Sequence, residues 1–387
     1  MIQGLLVLNH DSYVPERWHS TLILIAIAVT ATLVNTVGAR HLPMLEGFIL
    51  LLHILGFVAI IIPLWVLAPK VPATRVFTEF NNGGGWLNAA AACTIGHLAI
   101  LFSFLGADCV AHMCEYIPIS CPWYGSVTDT IAAEEIRDAS IVVPRTMVST
   151  VTLNGAMGFV AAITFAFCIT DLDAALGTAT GYPFIEVFYA ATNSKAAATG
   201  MTCIFILLLI CAAISNLATA SRQIFAFARD EGLPFPHVFS KVTKLGVEIP
   251  LNAILVSLSV TTIIALINIG STAAFNSIVS LVVAADLSTY ALAISCVTLR
   301  RIRNMPLLPS RWSMGKFALP VNILALAYIA FALILSFFPT SRLGLTAQSM
   351  NYSVVIYFGV LAIALTLYFT HGRKRYTGPV AYVRRLE

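Results

Sequence analysis

Residues 88–115 read NAAAACTIGHLAILFSFLGADCVAHMCE, and this stretch decides the architecture. As a helix it is long enough to cross a bilayer, for which roughly 20 apolar residues suffice. In its second half the apolar run breaks at Gly106-Ala107, and Asp108, His112 and Glu115 follow. Spaced i, i+4 and i+7, those three share one face of any helix that resumes after the glycine. A carboxylate at this depth costs about 2.5–3.5 kcal/mol on insertion scales, so it belongs where protein or a wet cavity receives it. The stretch therefore reads as an interrupted helix lining a site near the membrane midplane, with the other helices built around it.

The whole chain supports a membrane setting. Its 387 residues are 59% hydrophobic and only 10% charged, with mean hydropathy +0.88. Soluble domains carry about 25% charged residues. In lipid every backbone polar group must be satisfied internally, which leaves helices or closed barrels. Long unalternating apolar runs exclude the barrel, so the fold class is an all-α membrane protein. A net charge of +4 is too small to call for nucleic acid, and none is expected as a partner; the lipid bilayer is.

Eight cysteines are scattered without a CxxC pair, and Cys93, Cys168, Cys203 and Cys211 lie inside apolar runs, so no disulfide framework or metal site is expected. The set His97, Asp108, Cys109, His112 and Cys114 is a poor ligand group, because His97 lies about three helical turns from Asp108 and Cys109 faces away. No nucleophile–base pair or phosphate loop appears. The chain is thus not expected to be an enzyme, to carry catalytic residues or to need a cofactor. The opening MIQGLLVLNHDSYVPERWH lacks the basic start and cleavage site of a signal peptide.

Apolar segments of spanning length fall near 19–38, 44–67, 89–115, 146–170, 199–221, 250–269, 272–298, 318–338 and 352–371, giving about nine transmembrane helices in one domain covering 1–387. Seventeen arginines and lysines fall in one set of connections and tail, including Arg300, Arg301, Arg303, Arg311 and Lys316, against five in the other. The positive-inside rule then puts the C-terminus in the cytoplasm and the N-terminus outside. Residues 221–250 read either as a connector with an interfacial helix held by Phe225, Phe227 and Phe235, or as a gating loop. Residues 171–198 read as a short surface excursion.

Several side chains carry two readings. Asp108 is either the anchor for an ammonium or quaternary amine, or an acid that fixes helix packing. Ser103, Phe104, Gly106 and Ala107 would form the unwound turn around it, whose backbone must be satisfied by substrate, ion or water. His112 and Glu115 either relay protons and gate the inner side, or cap the helix end at the interface. Asp286, within LVVAADLSTYAL, is the second buried acid; it faces the cavity as a proton-coupling or gating candidate, or serves packing. Glu46 reads as snorkelling to the interface, and Ser215, Asn216 and Ser221 as interhelical polar contacts.

Three stretches carry a family resemblance. GADCVAHMCE (106–115) taken with EIRDASIVVPRTM (135–147), the run SRQIFAFARDEGLPF (221–235), and WHSTLILIAIAVTATLVNTVGARHLPMLEGFILLLH (18–53) resemble fungal amino acid and choline (GABA-type) permeases. These belong to the amino acid–polyamine–organocation superfamily. The likeness covers the chain except Tyr116–Glu134, a nineteen-residue insert that splits the family's paired acidic motif and reads as a retained intron or as a genuine cytoplasmic insertion. The resemblance implies a LeuT-like fold with a five-plus-five inverted repeat, in which the substrate lies between unwound helix halves. By that likeness the nine spans correspond to the family's fourth to twelfth helices, so the fold would be partial and its first three helices lacking. It further implies secondary active transport of a small amine-bearing solute (an amino acid, gamma-aminobutyrate or choline), coupled to protons by alternating access, in the plasma membrane. The alternative is a non-transporting membrane sensor or an inactive transporter fragment.

Overall fold

The long apolar runs form helices because a helix alone satisfies each segment's own backbone in lipid. The computed structural model describes residues 1–109, 111, 139–244, 248–307, 311–346 and 350–376. Among these, nine long apolar helices follow in chain order: α1 Arg17–Thr36, α2 Leu42–Leu67, α3 Ala89–Phe102, α4 Ala139–Cys168, α5 Lys195–Arg229, α6 Leu251–Gly270, α7 Thr272–Ile302, α8 Ala318–Ser336 and α9 Ser353–Leu367. Eight are long and apolar enough to cross a membrane, α9 by running on through a π-turn to Arg375; α3, at 14 residues, falls short. The architecture is all-α and polytopic, with one antiparallel ribbon pairing Thr243–Lys244 with Glu248–Ile249. The insert at 116–134 lies outside the described residues.

The chain divides into two compact units. The first comprises residues 1–79, 152–225 and 237–269. Its core gathers Leu64, Ile185 and Phe188, all fully buried, with Ile60 and Met201. The rings of Phe165, Phe184 and Phe205 surround Phe188 at centroid distances of 5.8, 5.7 and 6.1 Å. Ile185 and Phe188 belong to a short helix, Pro183–Thr192, which packs against α2. Residues 171–198 are therefore not the surface excursion expected from their polar ends. Ile185, Phe188 and Ala191 recur every three residues and give the helix one buried face.

Polar threads tie this unit's helices together. Thr21 Oγ1 donates to the Ala265 carbonyl at 3.2 Å, and Asn35 Nδ2 to that of Ile214 at 2.9 Å. Glu46, expected only to snorkel, accepts from Ser215 Oγ at 2.6 Å and so joins α2 to α5. Such interhelical bonds are worth about 0.6–2 kcal/mol each in membranes. Helix α5 also overruns its expected end at residue 221: SRQIFAFAR contains no breaker, and the turn comes only at Asp230, Glu231 (φ +57°) and Gly232. Of the three phenylalanines expected at the interface, Phe225 is buried, whereas Phe227 and Phe235 are exposed.

The second unit comprises residues 80–151, 226–236 and 270–387. Helix α7, whose N-cap Ser271 accepts from Ala274 N at 3.2 Å, packs along α8 and α9. Val283, Leu287, Ile329 and Ala332 form the α7–α8 core. Ser288 and the Tyr357 hydroxyl share a 2.7 Å hydrogen bond that ties α7 to α9. Against this scaffold α3 is laid down, with Leu101 and Leu105 packed on the α7–α8 cluster.

Candidate functional site

Helix α3 starts firmly and ends by a change in its hydrogen-bond ladder. The Asn88 side chain caps the start, accepting from Ala91 N at 2.8 Å. At the other end the bonds tighten to i→i−3: Ser103 N to Ile100 O at 3.0 Å, Phe104 N to Leu101 O at 3.0 Å, and Leu105 N to Phe102 O at 3.3 Å. Gly106 follows at φ +89°, a left-handed backbone that glycine adopts without penalty. Two more i→i−3 bonds follow, Cys109 N to Gly106 O at 3.1 Å and Ala111 N to Asp108 O at 2.8 Å, and the backbone is again helical at Cys109. The expected interruption is thus a turn over residues 103–108, with Asp108 at its exit.

Asp108 is half-buried. The Tyr290 phenol lies within reach of the Asp108 carboxylate, and Asp286, one turn earlier on α7, is near enough for its charge to act on the same phenol. The two acids picked out from distant parts of the sequence are therefore gathered around one tyrosine. Cys109, expected to face away, also lies within electrostatic reach of Tyr290. Sequence reasoning passed over Tyr290, although the i, i+4 spacing from Asp286 placed both on one face of α7. An interhelical contact of this kind in a membrane contributes about 0.6–2 kcal/mol, so the phenol helps to place the Asp108 side chain.

The other expected site residues divide. Phe104 and Gly106 are exposed within the turn, and Ala107 is half-buried beside Asp108. Ser103 Oγ donates back to the Ala99 carbonyl at 3.3 Å, so its hydroxyl serves its own helix. His112 and Glu115 lie outside the described residues. His97 pairs with α8, its Nε2 lying 2.6 Å from the Tyr328 hydroxyl. No cluster of metal-binding side chains occurs among the described residues. Chemically, a carboxylate held at a helix break with a second acid one turn from its phenol partner suits a small cation better than an anion.

A sequence profile of the family described as amino acid permease matches residues 1–361. The chain belongs to that family. This permease is 31% identical over 356 residues to a candidate amino acid/polyamine transporter of Macrophomina phaseolina, covering 91% of the chain and 74% of that protein. It is 27% identical to amino-acid permease 2 of Neurospora crassa, covering 100% of the chain and 67% of that protein. To the choline transporter of Saccharomyces cerevisiae it is 28% identical, covering 97% and 62%. The permease thus spans 62–74% of the length of these relatives. Family and relatives place it among multi-pass membrane transporters and not among enzymes.

Proposed function

We propose that this permease carries a small amine-bearing solute, an amino acid, gamma-aminobutyrate or choline, across a membrane by alternating access. The observation that carries the proposal is Asp108, set at the exit of a turn with left-handed Gly106 and held by Tyr290. In this reading the Asp108 carboxylate pairs with the solute's ammonium or quaternary amine, while the turn's carbonyls serve as further acceptors. Asp286, one turn from Tyr290, completes a pair of acids that shares a proton during the cycle, which makes the coupling ion H+. The names of the Neurospora and Saccharomyces relatives support the solute class. The charge asymmetry of the connections supports a cytoplasmic C-terminus, and the plasma membrane is the destination proposed.

Uptake of labelled choline and amino acids by cells expressing the 387-residue chain tests the reading. Asp108→Asn keeps the side chain's size and removes its charge. It is expected to abolish uptake while leaving membrane insertion intact. Uptake at the unsubstituted rate in that variant would retire Asp108 as the anchor. Absence of uptake by the unsubstituted chain across the panel would favour a non-transporting sensor or an inactive transporter fragment.

A further inference from the structure

Helix α7 leaves its apolar stretch through Arg300 and Arg301, and α8 begins at Ala318. Between them the structure forms a cavity of about 410 Å³, lined by Val297, Arg301, Leu307, Trp312, Ser313 and Asn322 among others. Its wall is divided. Val297 and Leu307 are apolar, whereas Arg301, Ser313 and Asn322 bring a cation and neutral hydrogen-bonding groups. Arg301 and Asn322 are half-buried. The neighbouring Arg300 is folded back, its Nη2 donating to the Pro306 carbonyl at 2.5 Å to close the turn. Arg301 is thus the cation left in the cavity wall.

The charge around this cavity is one-sided. Arg300, Arg301, Arg303, Arg311 and Lys316 crowd the connection, and no acidic residue occurs in the sequence between Asp286 and Glu387. Trp312, with an indole suited to the membrane–water boundary, stands at the cavity. Cations at a helix C-terminus are expected from the backbone dipole alone. That expectation does not account for a concavity with apolar walls and an arginine built into one of them.

We infer that this cavity binds an anionic phospholipid from the leaflet on that side, with the headgroup phosphate at Arg301 and an acyl chain along Val297 and Leu307. A lipid is favoured over a soluble anion because the apolar walls would otherwise stay uncovered at a membrane boundary. Arginine supplies a forked donor matched to phosphate oxygens. Basic pockets beside transmembrane helices recognise such headgroups, and the one cation in contact with the headgroup contributes about a five-fold preference.

The test uses the full chain in nanodiscs containing photoactivatable phosphatidylserine or phosphatidylcholine with identical acyl chains. Peptides covering residues 293–322 are expected to label about five-fold more with phosphatidylserine. Arg301→Gln should bring the two lipids to parity, whereas Arg301→Lys and Arg303→Gln should keep the preference. The lysine variant keeps the test decisive if the glutamine variant elutes or folds differently. Equal labelling by the two lipids in the unsubstituted chain, or a preference untouched by Arg301→Gln, would overturn the inference. Displacement by water-soluble glycerophosphoserine would overturn it too, assigning the cavity to a free phosphate. The readout needs no transport, so it stands or falls apart from the Asp108 reading.

Discussion

Replacing Gly106 by alanine sets the two possible backbones of the third helix against each other. At φ +89° the one neighbour a Cβ would meet among the described residues is Cys109 Sγ, at 3.5 Å, an ordinary contact. The penalty is therefore conformational: a left-handed backbone costs an L-residue about 1–2 kcal/mol. In an uninterrupted helix the sign reverses, because alanine is about 0.8–1.0 kcal/mol better than glycine. Asparagine tolerates the left-handed region better than alanine does, so Gly106→Asn should fall between. Thermal unfolding of the purified chain can be followed with a thiol-reactive dye once the exposed Cys93, Cys203 and Cys296 have been blocked, since Cys168 and Cys211 are buried until the fold opens. The expected order of stability is glycine, asparagine, alanine, with uptake falling in the same order. An alanine variant more stable than the unsubstituted chain would refute the interruption and, with it, the placement of Asp108.

Three further substitutions test the two units separately. Phe188→Ala, in the helix packed against α2, should cost about 3–5 kcal/mol of stability by the usual cost of emptying a buried phenylalanine site. Leu176→Ala in the same inter-span segment, where the side chain is 64% exposed, should stay within about 0.5 kcal/mol in the same unfolding assay. Equal losses would count against the buried core assigned to that segment. Tyr290→Phe deletes one hydroxyl and leaves the Asp108 charge in place. It should raise the solute KM by about 3- to 30-fold, the loss of one interhelical bond in a membrane, without abolishing uptake as Asp108→Asn does. An unchanged KM would remove Tyr290 from the site.

Much of this was legible in the chain because lipid imposes a coarse rule. An apolar run of spanning length has few options other than a helix, and eight of the nine expected spans form helices of crossing length. The break after residue 102 was legible too, because Gly106 and Asp108 sit where an ordinary span would place leucines. Less legible was anything set by contacts between helices. Tyr290 looks like one aromatic among many until α7 is laid beside the turn at Asp108. Glu46 looks like a boundary charge until Ser215 is brought to it. The short helix Pro183–Thr192 was hidden for another reason: it lies between spans, where Asp171, Asp173 and the Gly-Tyr-Pro turn suggested solvent. Its apolar face has a period of three to four residues, a signal too short to stand out from the membrane-length runs on either side.

The length of α5 carries a practical consequence. Thirty-five helical residues extend about 52 Å, against a hydrocarbon layer of about 30 Å. Leaning at 40°, the steep end of what membrane helices adopt, such a layer takes up about 26 residues. At least two turns must therefore stand clear of the oil as a stiff post. If Lys195 lies near the opposite boundary, that post is the segment SRQIFAFAR, with Phe227 on its outer side. A single spectroscopic label at that position would ride on an unbroken rod from the bilayer, so a rotation of the buried part would reach the tag without damping.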